Sequence, residues 1–209
     1  MRPHFLDLPL FPFDYTFLSH LLENYGSPRV KIGRMIRKGE IIRIKKGLYL
    51  RSPEYGGRIE TKILANLIYG PSYISYESAL SFWGLIPERV ETLTSAVFKR
   101  KKMYETPVGS FWYRVVPKNV YPIGVSLIPY HDTYFLMASK EKALCDLTAT
   151  IKGIKTDQDV EEYLYNDIRL DIDVLVEFDI QLLMEIKAVY LKPSVKHLID
   201  WIINNKDKL

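Results

Sequence analysis

One stretch constrains the chain more than any other: RVKIGRMIRKGEIIRIKKGLYLR, from Arg29 to Arg51. It holds Arg29, Lys31, Arg34, Arg37, Lys38, Arg43, Lys45, Lys46 and Arg51 against Glu40 alone, so nine positive charges less one negative leave +8 on a chain whose formal total is +4. Everything outside the stretch therefore sums to −4.

The periodicity inside the stretch says what carries that charge. From Pro28 to Lys38 a helical repeat fits, with Ile32, Met35 and Ile36 on one side and Lys31, Arg34 and Lys38 on the other. Ser27 suits the N-cap, Pro28 the first turn, where its missing N–H is not needed, and Gly39 the C-terminal stop. The repeat then changes. Ile42, Ile44 and Leu48 to Leu50 read as two short apolar segments joined by Lys46-Gly47, where glycine can take the positive φ of a tight hairpin. A basic helix followed at once by a basic hairpin is the layout of a winged helix-turn-helix. In that layout the helix lies in the major groove and the hairpin touches the DNA backbone beside it. Clustered Lys and Arg have the phosphate backbone as their commonest partner, so the expected DNA-binding residues are Arg29, Lys31, Arg34, Arg37, Lys38, Arg43, Lys45 and Lys46. The competing reading is a solvated basic face, or a winged helix that binds protein.

The 209 residues allow two small domains or one medium one, and 47% hydrophobic content allows a real core. The lone Cys145 excludes an internal disulfide and a cysteine zinc cluster, and His4, His20, His131 and His197 show no ligand spacing. A reducing cytoplasm is the simplest setting. No apolar run reaches the length of a membrane span, and MRPHFLDLPLFPFDYTF has prolines and acids where a signal peptide needs an unbroken apolar core. The expectation is a soluble cytoplasmic protein with no membrane partner.

Along the chain, residues 1–13 form an apolar arm broken by prolines, expected to pack onto something. A helix from Asp14 to Tyr25 follows, so one helix precedes the basic helix where a full winged domain has two. Ser52 to Gly57 reads as a linker, dividing a winged helix-turn-helix domain at 1–53 from an α+β domain at 57–209, each with its own core. In the second part a helix is expected at Arg58–Tyr69, a short strand at Tyr73–Ile74 and a helix from Ser75 to Gly84. Leu93–Phe98, Ser110–Val116, Gly124–Ile128 and Thr133–Met137 read as strands of a mostly antiparallel sheet. Helices are expected at 139–151, 157–166, 179–191 and 193–205, the second opened by a Thr156/Asp159 capping box. The fold class is α+β with a helical C-terminal part.

No chemistry outweighs a structural reading. Asp171 and Asp173 have the i, i+2 spacing with which a nucleotidyltransferase holds magnesium, but no Gly-Ser helix start lies shortly before them. Glu185-Ile186-Lys187 could be half a nuclease motif, yet on an amphipathic helix it is an ordinary solvated pair. Ser75, Ser78 and Ser81 have neither a histidine nearby nor a glycine elbow, and no P-loop occurs. No catalytic residue, metal ligand or cofactor site is expected. Lys99-Arg100-Lys101-Lys102 is either a solvated hairpin tip or an extension of the phosphate-contacting surface. Tyr73, Tyr76, Phe82 and Trp83 read as core rather than as a base-stacking platform.

Three segments, KIGRMIRKGEIIRIKKGLYL at 31–50, SYISYESALSFWGLI at 72–86 and ASKEKALCDL at 138–147, resemble in order and spacing the AbiEi family, antitoxins of type IV toxin-antitoxin systems. The resemblance spans roughly residues 14–150; the helical tail from about 156 matches no motif of that family. It implies a winged helix-turn-helix that represses its own operon, with the DNA-reading element on Arg29–Lys38 and the wing on Arg43–Lys46. It also implies a C-terminal domain that opposes a nucleotidyltransferase-like toxin without a lasting complex. The expected function is therefore a DNA-binding antitoxin and autorepressor of an abortive-infection operon, with its own operator DNA as partner. The alternatives are an enzyme of nucleotidyltransferase or nuclease type using Asp171 and Asp173, or a protein-binding adaptor.

Overall fold

The computed structural model describes residues 8–206, so most of the arm expected at 1–13 lies outside the described residues. Its described end is anchored, with Leu8 and Phe13 both buried. Strand β1 (Phe13–Asp14) leads directly into helix α1 (Tyr15–Leu21), because Asp14 pairs with the wing and its carboxylate then accepts the Phe17 N–H at 2.8 Å as N-cap. Helix α2 (Pro28–Arg37) follows, then the hairpin of β2 (Ile41–Lys45) and β3 (Leu48–Arg51). The three strands lie in the order β1-β3-β2, all antiparallel. A strand before the helix pair, joined to the second arm of the hairpin after it, is the winged helix-turn-helix topology.

The second sheet has six strands: β4 (Tyr73–Ile74), β5 (Leu93–Val97), β6 (Lys102–Thr106), β7 (Gly109–Val115), β8 (Val125–Tyr130) and β9 (Thr133–Ala138). Their order is β6-β7-β5-β4-β9-β8. The β4–β5, β6–β7 and β8–β9 pairs are antiparallel, while β5–β7 and β4–β9 are parallel. The sheet is thus mixed, with antiparallel pairing in the majority. Around it pack α3 (Thr61–Ile68), α4 (Tyr76–Phe82), α5 (Lys140–Thr148), α6 (Asp157–Glu162), α7 (Ile180–Val189) and α8 (Pro193–Asn205). A π turn at Tyr163–Asp167 continues α6, and a 3-10 turn at Ile172–Glu177 precedes α7. Among the described residues no helix is long and apolar enough to cross a membrane.

Among the described residues two hydrophobic clusters form, but they do not divide at the expected linker. Leu18, Leu22, Ile32, Met35, Ile41 and Tyr49 form the smaller one. Ile44, Leu48 and Leu50, from the same hairpin, belong instead to the large core with Leu64, Ile68 and the six-stranded sheet. Strand β3 is buried at every position because one face covers α1 and α2 and the other faces the large core. Ser52–Gly57 is a folded corner: a 3-10 turn at Pro53–Tyr55 closes with Gly57 N–H donating to Ser52 O at 2.9 Å. A Cβ on Gly57 would stand 1.9 Å from the Arg51 carbonyl oxygen, so only glycine fits there.

Candidate nucleic-acid interface

Helix α2 has the bounds its sequence implies, although Ser27 at the N-cap position makes no side-chain capping bond. Pro28 occupies its first turn, and Gly39, at φ +70°, ends it with a Schellman pair: Glu40 N–H to Met35 O at 2.9 Å and Gly39 N–H to Ile36 O at 3.0 Å. Ile32 and Met35 are buried against α1 and the sheet. At 3.6 residues per turn, the ridge opposite them is Val30, Arg34 and Arg37, all exposed. Lys38 flanks that ridge in solvent. Lys31 is half-buried, its ammonium 5.2 Å from the centre of the Tyr25 ring. The outward centre of the helix is therefore one residue away from the expected Lys31, Arg34, Lys38 line.

The flank of α2 that faces the wing forms a groove of about 750 Å³. Arg29 and Gly33 line it from the helix, Arg43 and Lys46 from the hairpin, and Tyr49 from β3. Gly47, at φ +86°, makes the wing turn, and its carbonyl accepts the Tyr15 N–H at 3.2 Å, which holds the wing against the start of α1. Three cations thus converge across one concavity from two elements.

Lys45 is not among them. The β2–β3 register slips between Arg43 and Lys45, leaving Ile44 as an extra residue. Such a bulge re-aims the side chains around it. Ile44 enters the large core, and the Lys45 ammonium donates to the Ile68 carbonyl at the end of α3. Burial, and then the neighbouring charge of Lys102, hold the Lys45 pKa below its ordinary value. Lys45 belongs to the seam between the wing and the rest of the chain.

The basic run 99–102 reaches the same seam. Lys99 Nζ donates to Gly70 O at 3.4 Å, and Lys102 Nζ sits 4.7 Å from the centre of the Tyr69 ring. Carbonyls at a helix C-terminus attract cations through their unsatisfied lone pairs and the helix dipole. The positive surface therefore continues from the wing onto the edge strand β6.

The other candidates take structural roles. Asp171 and Asp173 are exposed around the 3-10 turn, and the Asp171 N–H donates to Leu85 O at 2.9 Å. Among the described residues no three His, Cys, Asp or Glu side chains are grouped to hold a metal. Glu185 is exposed on α7, while Lys187 pairs with Asp200 on α8. Ser78 Oγ accepts the Thr94 N–H at 2.8 Å, and Ser81 Oγ donates to Glu88 O at 3.0 Å.

One buried network had no clear signal in sequence. Asp146 pairs with Lys142 on α5, both side chains fully buried. Its carboxylate also accepts Ser75 Oγ at 2.8 Å, Tyr73 OH at 2.9 Å and Tyr190 OH at 3.1 Å. Burial first, and then the Asp146 charge, push the Tyr73 and Tyr190 hydroxyls far above their ordinary range, so they remain donors. Tyr73 and Ser75 come from SYISYESALSFWGLI, and Lys142 and Asp146 from ASKEKALCDL. Two separate segments of the sequence, 72–86 and 138–147, thus meet in this network.

No family model matches the chain, and no curated protein matches it. Among solved structures it is similar to the crystal structure of JHP933 from Helicobacter pylori, at 13% identity and a TM-score of 0.35, over 71% of this chain and 89% of that one. A likeness at that level says nothing about function.

Proposed function

We propose that the chain is a double-stranded DNA-binding antitoxin and transcriptional autorepressor of a type IV toxin-antitoxin operon. The observation that carries the DNA-binding part is the convergence of Arg29, Arg43 and Lys46 across the groove between α2 and the wing. Helix α2 enters the major groove with Arg34 and Arg37 toward base edges, and the three groove cations hold the adjacent phosphates. Lys99, Arg100 and Lys101, exposed beside the wing, extend the phosphate contact.

The antitoxin part rests on the resemblance carried by residues 72–86 and 138–147. On that reading the second part of the chain opposes a nucleotidyltransferase-like toxin without a lasting complex. It works in the cytoplasm without a cofactor and without catalysis of its own.

The test is a binding titration with the DNA immediately upstream of the coding sequence, against a scrambled duplex of equal length. Tight binding to the first alone is expected. Arg34→Ala with Arg37→Ala should cost about 1–3 kcal/mol for each side chain that contacts a base and leave thermal unfolding unchanged. Equal affinity for both duplexes would remove the repressor reading. Coexpression with the neighbouring gene tests the antitoxin: growth should be rescued by the full chain and by its Arg34/Arg37 double variant alike.

A further inference from the structure

Gly33 lies in the interior of α2, where glycine is a poorer helix former than alanine. The rest of the molecule does not ask for it. A Cβ built on Gly33 meets nothing within 4 Å, whereas one on Gly57 would collide with the Arg51 backbone, and Gly39 and Gly47 have positive φ. Gly33 has no such φ and no such neighbour. Its bare backbone instead opens onto the groove between helix and wing, with Arg29, Arg43 and Lys46 around the same concavity. Arg37 Nε donates to its carbonyl at 3.4 Å, which holds that guanidinium over the same turn. A glycine without an internal reason, in a cationic concavity, marks where another backbone comes close.

We infer that Gly33 is an affinity-determining residue: the point where a sugar-phosphate strand of duplex DNA lies directly against α2, between the cations of the helix and those of the wing. The inference rests on the DNA-binding reading above and adds to it a contact that no charged residue supplies. A side chain at position 33 would stand between the strand and the helix, lengthening the reach of Arg29, Arg43 and Lys46 to their phosphates. Because the clearance concerns backbone and not base edges, its loss acts on every sequence alike.

The experiment uses the full chain carrying Gly33→Ala and, separately, Gly33→Gln, a longer side chain that favours helix. Thermal unfolding and affinity for the upstream duplex and for a scrambled duplex are measured together. Both variants should melt at or above the wild-type temperature, Ala by about 2–4 °C. Affinity for both duplexes should fall, several-fold for Ala and at least tenfold for Gln. Wild-type affinity in both variants overturns the inference while leaving DNA binding intact. A lower melting temperature in both also overturns it, since the need for glycine would then lie inside the protein. If the wild-type chain binds no duplex at all, the DNA-binding reading fails first and takes this inference with it.

Discussion

Asp146 takes the Lys142 ammonium one helical turn away along α5, and neither side chain touches solvent. Three hydroxyls, from Tyr73, Ser75 and Tyr190, occupy the remaining acceptor positions of the carboxylate, so this buried charge is paired and hydrogen-bonded at once. Removing one member leaves the other charge uncompensated. Asp146→Ala should therefore cost about 3–5 kcal/mol, and Tyr190→Phe about 1–3 kcal/mol. A joint Lys142→Met, Asp146→Leu change should cost much less than Asp146→Ala. Denaturant unfolding of the variants checks the order; a costlier double than single variant would count against it.

Because Ile44, Leu48 and Leu50 sit in the large core, the two parts of the chain should not separate cleanly. A fragment of residues 1–53 exposes these three side chains and frees Lys45 from the Ile68 carbonyl. Each buried Leu or Ile is worth about 1.5–3 kcal/mol, as much as a domain this small can spare. The fragment is expected to be unfolded or aggregated, with circular dichroism far below the helix and strand content of 8–51 in the full chain. A monomeric fragment with a cooperative melt would show that the small cluster around Leu18 and Ile32 suffices.

Lys45 and Lys46 are neighbours in sequence with different surroundings, one at the seam and the other in the groove. Lys46→Ala should flatten the dependence of log affinity on log salt by about 0.9 per lost phosphate contact. Lys45→Ala should leave that slope alone and lower the melting temperature instead. Replacing Lys99, Arg100 and Lys101 together should reduce the slope without changing which sequences are preferred. Identical slopes in the Lys45 and Lys46 variants would mean that the bulge does not redirect Lys45 in solution.

Much of this was legible wherever a local stop signal fixes the backbone. Pro28 and Gly39 bracket α2, Pro193 opens α8, and Thr156 with Asp159 forms the capping box that their spacing implies. What escaped was decided by distant partners. Strand β6 begins in the basic run, and its alternation of exposed Met103 and Glu105 with half-buried Tyr104 and Thr106 is weak enough to pass for a loop. The shared core was visible in part, since Leu48-Tyr49-Leu50 is continuously apolar, the pattern of a strand covered on both faces. The redirection of Lys45 depends on a one-residue register slip that no local pattern announces. Val30 and Gly33 escaped because neither carries a charge and neither lies on the apolar stripe of Ile32, Met35 and Ile36 that marks the helical repeat.

The capping box also gives a pH dependence. The Asp159 carboxylate accepts the Lys155 and Thr156 N–H groups at 2.9 and 2.8 Å, and these bonds hold its pKa below the ordinary aspartate value of 3.8. A depressed folded pKa stabilises the fold above the ordinary value, and that contribution is lost as pH falls through the folded one. Asp159→Asn should therefore flatten the acid limb of a stability curve below about pH 4. An unchanged limb would mean that the box is open in solution.

Val30 is the aliphatic residue that opens the outward ridge of α2, 51% exposed and one turn before Arg34. It belongs to neither hydrophobic cluster of the described residues. On a helix in the major groove an exposed aliphatic side chain meets the C5-methyl of thymine, while an arginine one turn on pairs with the O6 and N7 of guanine. A preferred duplex can be selected from a random library with the wild-type chain, and its thymines replaced by uracil one at a time. At one position the loss of the methyl should weaken wild-type binding several-fold and leave Val30→Ala unaffected. Arg34→Ala should lose its preference at a guanine within one or two base pairs of that position. If every uracil substitution affects wild type and Val30→Ala equally, Val30 does not read the groove, and the axis of α2 on the DNA must be turned toward Arg29 and the wing.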